Sequence, residues 1–104
     1  MRLTDDDKVK LKAAHGSKHL AVATVKDRKG EKHDFVFEPI DRSLMDLASK
    51  QMANSPTQAM GMQMQATLVF GDKSLLESDD YIFRGLLSKW ETMQKPADVE
   101  LGEL

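Results

Sequence analysis

The chain has 104 residues, 40% of them hydrophobic and 31% charged, which is the make-up of one globular domain with a single core and too short for two. Its net charge of -2 excludes a bulk attraction to nucleic acid or anionic lipid, since that requires clustered, uncompensated Lys and Arg. The absence of cysteine excludes disulfides, thiolate zinc sites and thiol catalysis, and fits a reducing cytosol.

Charge is unevenly spread. Residues 1–38 carry nine Lys/Arg against seven Asp/Glu, a balance of +2, and the remainder carries six against ten, a balance of -4. The acidic opening Thr4-Asp5-Asp6-Asp7 stands where a secretory leader would be basic and then continuously apolar. It reads instead as the start of a helix over Thr4–His15, with Thr4 as cap, acidic residues at the positive end and Gly16 as terminator. Its apolar stripe is thin, so the helix is peripheral.

From Lys18 to Glu38 the hydrophobic period becomes two. Leu20, Val22 and Thr24 alternate with Ala21, Ala23 and Val25, Asp27-Arg28-Lys29-Gly30 supplies a turn, and His33, Phe35 and Phe37 alternate with Asp34, Val36 and Glu38. This predicts a β-hairpin. Pro39 ends the second strand, and Asp41 caps a helix with Leu44, Leu47, Ala48 and Met52 on one face. Ser55-Pro56 opens another helix running toward Gly71, in which Leu68-Val69-Phe70 also reads as a short extended piece. Gly61 within it costs about 1 kcal/mol relative to alanine. After a turn at Gly71–Ser74, Ser78-Asp79-Asp80 caps a last helix whose stripe of Ile82, Phe83, Leu86, Leu87, Trp90 and Met93 is the clearest in the chain. Residues 51–71 hold no charge, yet their amides and Pro56 make a membrane span a poor reading.

These elements predict an α+β fold: a β-hairpin, with or without one more short strand, packed against three to four helices. The expected core is Leu20, Val22, Phe35, Phe37, Leu44 and Leu47 with Leu68, Ile82, Phe83, Leu86, Leu87 and Trp90. Residues 1–95 form the domain, and 96–104 form an acidic tail expected to be disordered in the free protein.

Catalytic and cofactor constellations are not evident. His15 and His19 are separated by Gly16-Ser17, which breaks the spacing needed to share an ion. His33, on the face of Phe35 and Phe37, reads as a hydrogen-bonded, partly buried histidine. Asp5-Asp6-Asp7 lacks the glycine and distal glutamate of a calcium loop. No serine lies in a nucleophile elbow, and the glycines are isolated. The expectation is a protein that is not an enzyme, with no cofactor and no metal.

Five of seven methionines, Met45, Met52, Met60, Met62 and Met64, fall within residues 45–64. Two readings stand: Met52, Met60 and Met64 fill core gaps at helical spacing, or the cluster forms an adaptable peptide-binding surface. Met62 lies about 200° from Met60 on a helical wheel, so both cannot face one core.

The order of a hairpin, a helix opened by Glu38-Pro39-Ile40-Asp41-Arg42, a second helix, and a last helix opened by Gly71-Asp72 and Asp79-Asp80-Tyr81-Ile82-Phe83 resembles the small tail assembly chaperones of long-tailed bacteriophages and prophages. The resemblance covers roughly residues 20–93. It implies a non-enzymatic assembly factor in the host cytoplasm that binds the tape measure protein and self-associates. The protein-binding positions expected from this chain's own residues are Met60, Met62, Met64, Leu68, Val69 and Phe70, with Trp90 and Met93 as neighbours. Two other functions compete. A small nucleic-acid-associated regulator would use the basic hairpin tip of Lys26, Arg28, Lys29 and Lys32, and a structural subunit would use the apolar surface permanently.

Overall fold

A computed structural model describes residues 1–16, 18–94 and 96–104; the turn reading at Ser17 and the domain boundary at Lys95 lie outside the described residues. The chain runs α1 (Asp5–His15), β1 (Ala21–Lys26), β2 (Lys32–Phe37), α2 (Arg42–Met52), α3 (Pro56–Thr67), β3 (Leu68–Phe70), α4 (Lys73–Ser78), α5 (Asp80–Leu87) and α6 (Trp90–Met93). The fold is α+β, built on an antiparallel three-stranded sheet in the order β1-β2-β3.

Local chemistry explains most boundaries. Thr4 and Asp7 cap α1 reciprocally, Thr4 Oγ1 accepting from the Asp7 amide and Asp7 accepting from the Thr4 amide. Asp41, Asp72 and Asp79 each accept from the first-turn amides of α2, α4 and α5. α3 starts with Pro56 in its first turn, and Ser55 makes no side-chain cap bond. The turn at 71–74 is therefore the start of a helix, α4, that the sequence did not reveal.

The expected last helix is broken in two. Ser88 Oγ donates to the Gly85 carbonyl at 2.7 Å, and the Lys89 amide bonds Leu86 three residues back, a tightened end before α6 begins. The stripe survives the break: Ile82, Leu86 and Trp90 are all buried.

β2 is the central strand, and Asp34, Phe35, Val36 and Phe37 are all buried. Phe35 and Phe37 join Met64, Leu76, Ile82, Leu86 and Trp90 in the main core. Phe37 and Trp90 meet edge to face at 5.4 Å between ring centroids. The Trp90 indole N–H donates to Gln63 Oε1. Gln94 then ties the β2–α2 connection down, accepting from the Ile40 amide and donating to the Glu38 carbonyl.

Two core expectations are corrected. Val22 is 56% exposed, because Ala21 and Ala23 are the β1 residues opposite Phe37 and Phe35, and partners directly opposite share a face. The small alanines leave room for the two aromatic rings, and Val22 falls opposite Val36 on the other face. Leu47 is 50% exposed, since α2 buries only Ala48.

Two glycines admit close approaches. At Gly61 an added Cβ would lie 3.2 Å from the Phe83 ring, so the glycine that weakens α3 lets α5 pack on it. At Gly71, φ is +125°, and a Cβ would lie 2.6 Å from the Phe35 ring and 3.0 Å from the Asp34 carbonyl oxygen. Gly71→Ala is expected to lower stability by about 2 kcal/mol or more, read as a shift in the urea midpoint. An unchanged midpoint would mean that β3 and its turn do not pack against β2 in this way.

Candidate functional site

The residues expected to bind protein do not form one surface. Met64 and Trp90 belong to the main core; Met64 is wholly buried, and Trp90 shows only an edge in the hollow beside Met60. Met60, Leu68 and Met93 are half-buried and pack against that core. Val69 and Phe70 are half-buried in β3, where the register with β2 shifts between Val36 and Phe37 and Val69 is the additional residue. Met60 and Met62 diverge as their wheel angle requires. Met62 lines a depression with Gln58, Gln65 and Phe83, whereas Met60 lines a different hollow with Trp90, Gln94 and Pro96.

Three of the exposed large apolar side chains are on α2. Met45 is 53% exposed, Leu47 50% and Met52 39%. Met45, Ala48 and Met52 line a groove of about 500 Å³ with Ile40 and Gln63, and the hollow beside Met60 and Trp90 adjoins it through Ile40, Met52 and Gln63. The shared residues join the two hollows into one mainly apolar trough along α2, the middle of α3 and α6. Sequence reasoning counted Met45 and Met52 in the methionine cluster but put Met52 on the apolar face of its helix and left both out of the expected binding positions. The available signal was the breadth of the α2 stripe: Leu44, Met45, Leu47, Ala48 and Met52 are more apolar positions than one contact with α3 can cover.

The basic hairpin tip is partly committed within the molecule. The Arg28 guanidinium lies 4.5 Å from the Tyr81 ring centroid, a cation–π contact that holds it against α5. The turn is organised by Asp27, whose Oδ1 accepts from the amides of Lys29 and Glu31, both at 2.9 Å, while Oδ2 meets His33 Nε2 at 3.0 Å. The His33 bond, outweighing the effect of burial, holds the Asp27 carboxyl below its ordinary value, with help from the two amides.

Asp27, Glu31 and His33 bring ligand-type atoms within 4.8 Å of one another. Such a set can hold a divalent ion. Here, however, Asp27 already closes the turn, and Met1's amino group lies 3.3 Å from His33 Nδ1. That amine favours a lone pair on Nδ1 and the proton on Nε2, the atom an ion would need. The trio therefore reads as a turn clasp. Its spacing, Asp-x3-Glu-x-His, becomes visible only once the turn register is known.

A second polar cluster sits under the amino-terminal segment. Asp34 is only 4% exposed. Its Oδ2 accepts from the Leu3 amide at 2.7 Å, its Oδ1 accepts from Thr24 Oγ1 at 2.7 Å and faces Arg2 at 3.3 Å, and its own amide donates to the Met1 carbonyl. At the far end of α1, Glu38 meets His15 at 3.5 Å and Lys18 at 3.1 Å. α1 itself buries no residue. Its attachment is thus mainly polar, at both ends. Among the described residues no buried side-chain polar atom lacks a partner, and no helix is long and apolar enough to cross a membrane.

No family model matches the chain, and no curated protein or solved structure matches it either.

Burial raises the Asp34 carboxyl, but the Leu3 amide, the Thr24 hydroxyl and the charges of Arg2 and the amino terminus outweigh it, leaving the group below the ordinary 3.8. A carboxyl depressed on folding stabilises above its unfolded value and loses that contribution as pH falls through its folded value. Asp34→Asn is therefore expected to cost about 2 kcal/mol at pH 7 and to flatten the decline in stability below about pH 4. Urea titrations at a series of pH values measure both; an acid limb as steep as the parent's would remove Asp34 as its source.

Proposed function

We propose that the chain is a non-enzymatic, protein-binding assembly factor that takes an apolar helix of its partner into the trough beside α2. The observation that carries this reading is the α2 face itself: Met45 and Met52 remain exposed while lining a groove of about 500 Å³ with a mainly apolar surface. Unbranched methionines adapt to partners of differing shape, and an apolar groove of this kind suits a helix presenting residues at i, i+3, i+4 and i+7. A client with long apolar helices would be kept soluble by such transient cover.

The resemblance to phage tail assembly chaperones gives this reading its specific form, with the tape measure protein as client, the bacterial cytoplasm as the place of work and self-association as part of the behaviour. The contact surface in this reading is the α2 trough, which takes in Met60 and an edge of Trp90 but not Met64, which is buried, or Met62, which faces elsewhere. Nucleic-acid binding at the hairpin tip is disfavoured by the engagement of Arg28 with Tyr81.

Co-expression with a tape measure fragment tests the proposal directly. The soluble yield of the fragment should rise with the parent chain and fall back with Met45→Lys/Met52→Lys, which leaves the main core untouched. Burying each methionine contributes about 1.5 kcal/mol, so the double variant should bind the fragment at least roughly tenfold more weakly. Met62→Lys should bind as the parent does. A fragment no more soluble with the parent than without it would sink the tape-measure reading, and equal binding by all three chains would sink the α2 trough.

A further inference from the structure

Sulfur in this chain is all thioether, with seven methionines and no cysteine. The methionines differ sharply in exposure. Met1 is 58% exposed, Met45 53% and Met52 39%, whereas Met64 is 0% exposed within the main core. Met60, Met62 and Met93 are half-buried. Met45 and Met52 stand two turns apart on one face of α2, and both line the apolar groove. Met52 and Met60 line the adjoining hollow beside Trp90. Three sulfurs therefore converge on the trough, with Met52 at its junction. Neither Met45 nor Met52 belongs to the main core, so chemistry at either leaves that core intact.

An accessible thioether reacts with peroxides. A sulfur lone pair attacks one oxygen of hydrogen peroxide, and an S–O bond forms as the O–O bond breaks. The sulfur is oxidised by two electrons, and the departing hydroxide takes the proton from the new S–OH group and leaves as water. The product, methionine sulfoxide, is polar where the thioether was apolar. In a trough that binds by removing apolar surface from water, each sulfoxide places an unmatched S=O dipole against the partner. Leucine would line the same groove without this reactivity. α2 carries leucine at 44 and 47, so helix formation does not ask for methionine at 45 and 52.

We propose that Met45 and Met52 are sites of reversible oxidation: a peroxide converts them to sulfoxides and closes the trough to its apolar partner, and a thiol-driven sulfoxide reductase reopens it. The inference rests on the α2 trough of the proposed function and adds its regulation. Burial supplies the selectivity, since Met64 is sealed in the core while Met45 and Met52 meet solvent. Met1 is as exposed, but it is held beside His33 and Asp34, outside the trough, and its oxidation is silent there. Oxidation creates two sulfoxide epimers, so full recovery needs the reductase specific for each.

Hydrogen peroxide added to the folded full chain, followed by peptide mass spectrometry, should show Met45 and Met52 oxidised early, with Met1, and Met64 last. Retention on a phenyl column reads the trough without any client. It should fall as positions 45 and 52 are oxidised and return after treatment with the two sulfoxide reductases and a thiol. Affinity for the tape measure fragment should fall at least roughly tenfold over the same course. Met45→Leu/Met52→Leu, which conserves volume, should keep both retention and fragment binding through the oxidation. Met45→Gln/Met52→Gln should behave as the oxidised parent from the start. Circular dichroism confirms that each form is folded. Oxidation of Met64 in step with Met45 and Met52, retention that does not change when both are oxidised, or an equal loss in the leucine variant would each overturn the proposal. A reversible column response in a chain that never binds the fragment supports the oxidation switch and removes the tape measure protein as client, which separates the two readings.

Discussion

Burial of β2 on both faces is the constraint from which the other features follow. Phe35 and Phe37 point into the helical core and Asp34 and Val36 point away from it, so each face must be covered by a separate part of the chain. α3, α4, α5 and α6 supply one cover. The other is the amino-terminal segment with α1, joined to β2 through the Met1 carbonyl and the Asp34 carboxylate. A strand so enclosed tolerates little extra volume, and Gly71 shows it by passing so near Phe35 that no Cβ fits.

The two covers are held by different physics. Aromatic and aliphatic contact dominates the helical side, where edge-to-face packing of Phe37 on Trp90 is supplemented by the buried Gln63–Trp90 bond. On the other side α1 buries nothing, and Asp34 and Glu38 hold its ends through charge-assisted bonds. Local stability is expected to differ accordingly, since an attachment with few apolar contacts opens more readily than a packed core.

The hairpin, the aspartate caps at Asp41 and Asp79 and the stripe Ile82–Leu86–Trp90 were legible because each is written in neighbouring residues. The inward face of β1 was not. Leu20-Val22 and Ala21-Ala23-Val25 are both apolar sets, and the choice between them is made by Phe35 and Phe37 across the sheet. α2 shows a similar limit: an apolar helical face looks the same in sequence whether another element covers it or not. The methionines divided along both readings, Met64 filling the core while Met45 and Met52 remain outside. The Asp27–Glu31–His33 clasp required the turn register, and the Asp34 cluster required contact between residues more than thirty positions apart.

An amphipathic helix that buries only one alanine contributes little to a small domain's core, so its apolar side chains need another explanation. α2 keeps its position through the Asp41 cap, its packing on α3 and the Gln94 clamp on the segment leading into it. None of these requires methionine at 45 or 52 or leucine at 47, where lysine or glutamate would serve the helix equally well and improve solubility. In a chain of 104 residues with a limited core, leaving three large apolar groups outside exposes the protein to non-specific association. The proposed contact with another protein would remove this disadvantage, and the α2 groove and the hollow beside Trp90 share Ile40, Met52 and Gln63, so a single partner segment would cover both.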